Sequence, residues 1–150
     1  MKPCHTLLVL VLSASALPAA AQTDAMCANL SDATRWQKDH DAVLAAPLNH
    51  KVIYESADLR VLEVTVLPGE RELVHHHQWP SVMVLDSRPK YLNYDNRGQE
   101  IKPFVPPPAN PDMPIMVRLP AQEEHAIHNI GDKPFHAIRI EYKTLCPSQR

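Results

Sequence analysis

The sequence predicts an all-β barrel or jelly roll, on three observations. Short runs rich in β-branched residues recur along most of the chain, turn residues punctuate them, and little of the rest reads as helix. With 150 residues there is room for one such domain and not for two.

The first 21 residues read as a secretory signal. Lys2 supplies the positive start, residues 7–17 an apolar stretch, and Ala19-Ala20-Ala21 a small-residue cleavage site. The apolar run is about a dozen residues, short of the roughly 20 a membrane-spanning helix needs. The mature chain is therefore expected in the periplasm or outside the cell, with no membrane insertion after cleavage. Cleavage discards Cys4 and leaves Cys27 and Cys146, and an even pair in an oxidising compartment predicts a disulfide. A bridge closing so long a loop is worth about 4 to 5 kcal/mol at most by chain entropy. The formal charge of −2 supplies no basic surface for nucleic acid, so a small molecule is the expected partner.

Residues 22–50 form a polar, alanine-rich arm in which Ser31 is placed to cap a helix through Trp36 to about residue 46, where Pro47 stops it. The barrel is expected over residues 51–145. Residues 52–54 read as a strand, Ser56-Ala57-Asp58 as a turn, and residues 59–67 as a longer strand whose Arg60, Leu62, Val64 and Val66 make the more apolar face. After the turn at Pro68-Gly69-Glu70, strand-like runs follow at 73–79, 81–85, 90–94, 115–119, 125–129 and 134–142, with a hairpin turn at Asp95-Asn96-Arg97-Gly98. Six prolines between Pro103 and Pro114 make that stretch a loop.

Chemistry concentrates in the histidines. In an extended run His75 and His77 share one face, with α-carbons about 6.5 to 7 Å apart, so both rings can tilt toward one ion; His76 takes the outer face. Of the remaining histidines, His128 has the wrong parity to join His125, and His40, His50 and His136 have no partner legible in the sequence. Trp79 shares the parity of His77, which would make it a pocket wall contacting a substrate, although Pro80 can end the strand before it. Arg60, Glu63, Arg139 and Glu141 lie in strands with an interior face; among them Arg139 is the candidate anchor for a substrate carboxylate, because a guanidinium grips that group with two hydrogen bonds. No nucleophile elbow or phosphate-binding glycine loop is present.

Gly69, five residues, then His75-x-His77, followed downstream by Pro120, His125 and Asn129, resembles the two motifs of the cupin superfamily, over about residues 52–142 and in the manner of small single-domain bacterial cupins. The resemblance implies a double-stranded β-helix in which His75, His77 and His125 face one interior metal, with Asn129 supporting the site from behind. It also implies that two copies pair through their sheets. The chain departs from the pattern in one respect that matters. The metal-binding glutamate expected four or five residues after the second histidine is absent, and Ser81 and Val82 stand there. Gln122 likewise replaces the glycine of the second motif. Glu123 and Glu124 are candidates for the missing carboxylate, but they read more simply as charges in the turn before His125. The implied set is three neutral histidines, as in the cupin dioxygenases that use iron(II); zinc, manganese, nickel or copper also suit such ligands. Neutral ligands leave the full charge on the ion, which favours a small polar or anionic substrate. A binding or sensory cupin without catalysis is the alternative, since fold does not fix function.

Overall fold

The computed structural model describes residues 25–27, 30, 33–102 and 114–146. The signal segment, Ser31 and most of the proline-rich stretch lie outside them. Among the described residues nine strands run β1 (His50–Glu55), β2 (Leu59–Val66), β3 (His75–His77), β4 (Ser81–Ser87), β5 (Tyr91–Asp95), β6 (Glu100–Ile101), β7 (Ile115–Leu119), β8 (Gln122–Asn129) and β9 (Phe135–Tyr142). They form two antiparallel sheets, one in the order β1-β2-β9-β4-β7 and the other in the order β3-β8-β5-β6. This interleaved order is the double-stranded β-helix that the motifs imply.

Alternation builds the inner faces. Along β2 every second residue from Arg60 to Val66 is buried, and β9 buries Phe135, Ala137, Arg139 and Glu141 in the same rhythm. Leu62, Val64, Val66, Met83, Leu85, Tyr91, Ile127 and Phe135 join in one apolar core between the sheets. Two turns depend on glycine: Gly69 and Gly98 have φ of 78° and 74°, which an L side chain adopts only with strain. Asn129 fastens the loops around the first of these turns. Its Nδ2 donates to the carbonyls of Val66 and Lys133, both at 2.8 Å, and its Oδ1 accepts from Gly131 N at 3.0 Å.

Three readings of the sequence change. From residue 33 on, the arm is not one helix but two 3-10 turns (Ala33–Arg35, Lys38–His40) and one α-helical turn, α1 (Ala42–Ala45). Asp41 breaks it: in extended conformation it turns its carboxylate back to cap Val43 N, and its backbone bridges to His76. Residues 122–124 are not a turn but the start of β8. With glutamine where a glycine would bend the chain, the bend falls at Pro120-Ala121 and a register shift opposite β3 absorbs the difference. The two-residue strand β6 carries too little pattern to be read in sequence.

The disulfide joins Cys27 to Cys146 as predicted, with α-carbons 5.6 Å apart. No helix among the described residues is long and apolar enough to cross a membrane.

Candidate metal centre

Strand β3 is only three residues long, yet its pleat does what the spacing predicts: His75 and His77 turn into the barrel with ring centroids 5.0 Å apart. His125 faces His75 across the β3–β8 ladder, and its ring centroid lies 4.7 Å from that of His75 and 5.7 Å from that of His77. The sequence reading missed a fourth ring. His50, the first residue of β1, stacks 4.4 Å from His75 and 5.2 Å from His77. One nitrogen from each of His50, His75 and His77 lies within 4.8 Å of the others, so these three rings can hold one metal ion. His50 reaches the cluster because the chain after α1 turns tightly, its backbone N–H bonding Ala46 O at 3.1 Å.

All four rings are buried and all four use Nδ1 in the same way. It donates to Ala46 O from His50 (3.3 Å), to Leu73 O from His75 (2.8 Å), to Glu123 O from His125 (2.8 Å) and to the Glu141 carboxylate from His77 (2.8 Å). Carbonyl and carboxylate oxygens accept only, so the proton sits on Nδ1 and the basic lone pair on Nε2, the arrangement that outer partners impose on metal-binding imidazoles. The Nε2 of His75 is fully buried with no hydrogen-bond partner. A buried lone pair without a donor or a metal is costly, which is why such atoms in native proteins call for an occupant. Burial also holds the rings neutral: it lowers His50 to about 3 and His125 to about 4, and takes His75 and His77 well below the usual imidazole value. Neutral imidazole is the metal-binding form.

Charged groups surround the rings. Arg139 is fully buried; burial lowers its guanidinium to about 10, Nη1 donates to Gln122 Oε1 at 2.7 Å, and Nη2 has no partner. Gln122, a departure from the second motif, thus holds the arginine. Glu141 accepts from His77 and from Arg60 Nε at 2.5 Å, while both terminal nitrogens of Arg60 grip Asp41 at 2.8 and 2.9 Å. Burial raises Glu141 above the usual carboxylate value and takes Glu72 to about 8, and Glu72 Oε2 has no partner. Ser81 Oγ and Asn93 Oδ1 are buried and unpartnered as well. A cavity of about 680 Å³, lined in part by Asn93, Leu119, Gln122 and His125, leads from solvent to the edge of the histidines.

The remaining candidates lie elsewhere. Trp79 stands away from the rings, because the strand ends at His77 and the chain bends before Pro80. Its indole faces Arg60 at 4.6 Å and shares a separate cavity of about 430 Å³ with Trp36, Asp41 and Gln78. His76 takes the outer face as expected but is buried there by the arm: Nε2 donates to Gln37 O at 2.8 Å and Trp36 meets the ring edge-on. Glu123 and Glu124 pair with Arg35 and His40 of the arm, and His136 pairs with Asp86 at 2.5 Å.

Strand order and buried imidazoles together describe a double-stranded β-helix barrel with a three-histidine cluster compatible with metal. No protein-family model matches the chain, and no curated protein does. Among solved structures it is similar to a cupin domain from Bordetella pertussis Tohama I (20% identity, 63% of this chain and 92% of that one, TM-score 0.49). It is also similar to a cupin-like protein from Thermotoga maritima (18% identity, 65% and 71% covered, TM-score 0.42) and to an RmlC-like cupin family protein from Methanocaldococcus jannaschii (11% identity, 62% and 77% covered, TM-score 0.42).

Proposed function

We propose that the protein is a periplasmic or secreted metallocupin that holds one divalent transition metal, iron(II) by preference, and acts as an oxygenase on a small anionic compound. The observation that carries the metal is the buried, unpartnered Nε2 of His75 among rings whose Nδ1 protons all point outward. His50, His75 and His77 are the ligands of first choice by distance, and His125 is close enough to replace or join one of them. When bound, a divalent metal supplies Lewis acidity and, for iron, a site for oxygen chemistry. The chain does the rest. Arg139 presents Nη2 as an anchor for a substrate carboxylate, and the cavity at His125 admits the substrate from the side of Gln122 and Asn93.

Elemental analysis of the tag-free protein is the first test. The expected result is about one equivalent of a transition metal, lost on changing His75 or His77 to alanine and reduced in His50→Ala. Absence of metal after anaerobic reconstitution with iron(II) refutes the centre.

One observation favours a second reading, a binding or sensory cupin with a closed metal. The four rings are at most 4% exposed, and a structural site is closed where a catalytic one keeps an open position. Nitric oxide added to the iron(II) protein separates the two, since an open site gives the paramagnetic nitrosyl signal and a closed one gives none.

A further inference from the structure

We propose that Glu141 is the carboxylate of this centre, displaced from the metal to the far side of His77, and that Asp41 of the arm holds it there through Arg60. This rests on the metallocupin reading and concerns how the site is tuned. The first motif lacks its glutamate, and Ser81, at the nearer of the two positions expected for it, points inward, fully buried, with its hydroxyl unpartnered. Directly opposite Ser81 in the β4–β9 register stands Glu141, and opposite Glu141 on its other side in the β9–β2 register stands Arg60. Three residues thus cross the sheet in one inward row, with the glutamate one strand away from where the motif would place it.

The contacts define what Glu141 does there. Oε1 takes the proton of His77 Nδ1 at 2.8 Å and Oε2 takes that of Arg60 Nε at 2.5 Å, so both oxygens already hold protein donors and neither is offered to a metal. His77 is alone among the four rings in leaning on an anion, since His50, His75 and His125 donate to backbone carbonyls. A carboxylate behind a ligand imidazole fixes the ring and raises the basicity of its other nitrogen. Glu141 is thereby a positioning residue: it gives the ion through His77 part of the negative charge that a direct ligand would have given.

The row continues outward. Arg60 closes a two-pronged grip on Asp41, and Asp41 also caps α1 through Val43 N at 3.1 Å. Charges therefore alternate from Asp41 to Arg60 to Glu141 before reaching His77, on the arm, β2, β9 and β3 in turn. Arm packing and metal affinity become one linked quantity.

The test is a cobalt(II) titration of the full mature protein and of Glu141→Gln, Glu141→Asp and Asp41→Asn, with the nitrogen ligands counted by copper(II) paramagnetic resonance. Glu141→Gln is expected to weaken cobalt binding by about 10- to 100-fold with the nitrogen count unchanged, and Glu141→Asp to recover part of the loss. Asp41→Asn keeps the helix cap and lies outside the barrel, so it carries the test should Glu141→Gln fail to fold, and it is expected to show a smaller loss of the same sign. Wild-type affinity and spectrum in folded Glu141→Gln overturn the proposal, as does wild-type affinity in Asp41→Asn for the role of the arm. Failure of the wild-type protein to bind cobalt at all overturns the metallocupin reading itself.

Discussion

The two ends of β9 face the same interior and have opposite characters. Phe135 and Ala137 pack into the apolar core, while Arg139 and Glu141, two and four residues on from Ala137, are equally buried and carry charge. Neighbouring strands repeat the division: β2 passes from Val66, Val64 and Leu62 to Arg60, and β4 from Leu85 and Met83 to Ser81. The barrel therefore has a dry end and a charged end built on the same strands. Strand alternation decides which residues enter the barrel, and residue type decides what each end is for. Burial stabilises at the dry end by about 25 cal/mol per Å² of apolar surface. At the charged end it costs desolvation that ion pairs only partly recover.

The sharpest way to break the dry end is Phe135→Ala. Truncating this fully buried ring, edge-on to Tyr91 at 5.4 Å, is expected to cost about 3 to 5 kcal/mol in urea unfolding. The metal bound per folded molecule should not change, and its loss in parallel with stability would show that the ends are not separable.

Next come the two buried arginines, which should differ in size. Arg60→Met strands Asp41 and Glu141 and is expected to cost about 3 to 5 kcal/mol. Arg139→Met removes a guanidinium held by one hydrogen bond to Gln122 and a looser pairing with Glu141 at 3.5 Å, while its Nη2 has no hydrogen-bond partner, so it should cost less than Arg60→Met while abolishing anion binding. Equal destabilisation by both would assign Arg139 to the scaffold rather than to a ligand.

The smallest effect is that of pH. Each of the four clustered histidines has a folded value depressed below its unfolded 6.5, to about 3 for His50 and about 4 for His125 and well below it for His75 and His77. Below pH 6.5 the unfolded chain takes up protons that the folded rings refuse, so apoprotein stability is full above that pH and falls steadily toward pH 4. Glu72 works in the other direction: raised to about 8, its contribution is complete below its unfolded value and is lost as pH rises through 8. Glu141, also raised by burial, acts in the same sense, and four histidines outweigh the two glutamates on the acid side. The urea midpoint should therefore drop between pH 7 and pH 5, and a midpoint that rises instead would mean the rings are charged in the fold.

Much of this was legible in the sequence. Strand positions, the inward parity of β2 and the shared face of His75 and His77 follow from local periodicity, the pairing of Cys27 with Cys146 from an even cysteine count after signal cleavage, and the approach of His125 from the family resemblance. His50 was not legible, because nothing local distinguishes a histidine three residues after Pro47 from any other loop histidine. Its role comes from the β1–β2 register, which sets His50 opposite Val64, and from the tight turn after α1. Glu141 left a trace: with Arg60 and Arg139 it holds a position of inward parity, where a charge needs a partner. Sequence shows that need and not the partner, since Arg60 and Glu141 are 81 residues apart and meet only through the β2–β9 ladder. The arm misread for a related reason, as Asp41 favours a continuous helix less than it favours Arg60.

The bridge between Cys27 and Cys146 turns everything between them into a closed covalent ring, since the two residues stand 119 positions apart and the whole barrel lies within that span. A protease that cuts the ring once opens it into a line and releases nothing. Both products stay on one molecule, with the buried histidines still held by the strands on either side of the cut. Only a second cut, or a reductant, sets a fragment free, so a nicked molecule would migrate as intact on a gel until its thiols are reduced.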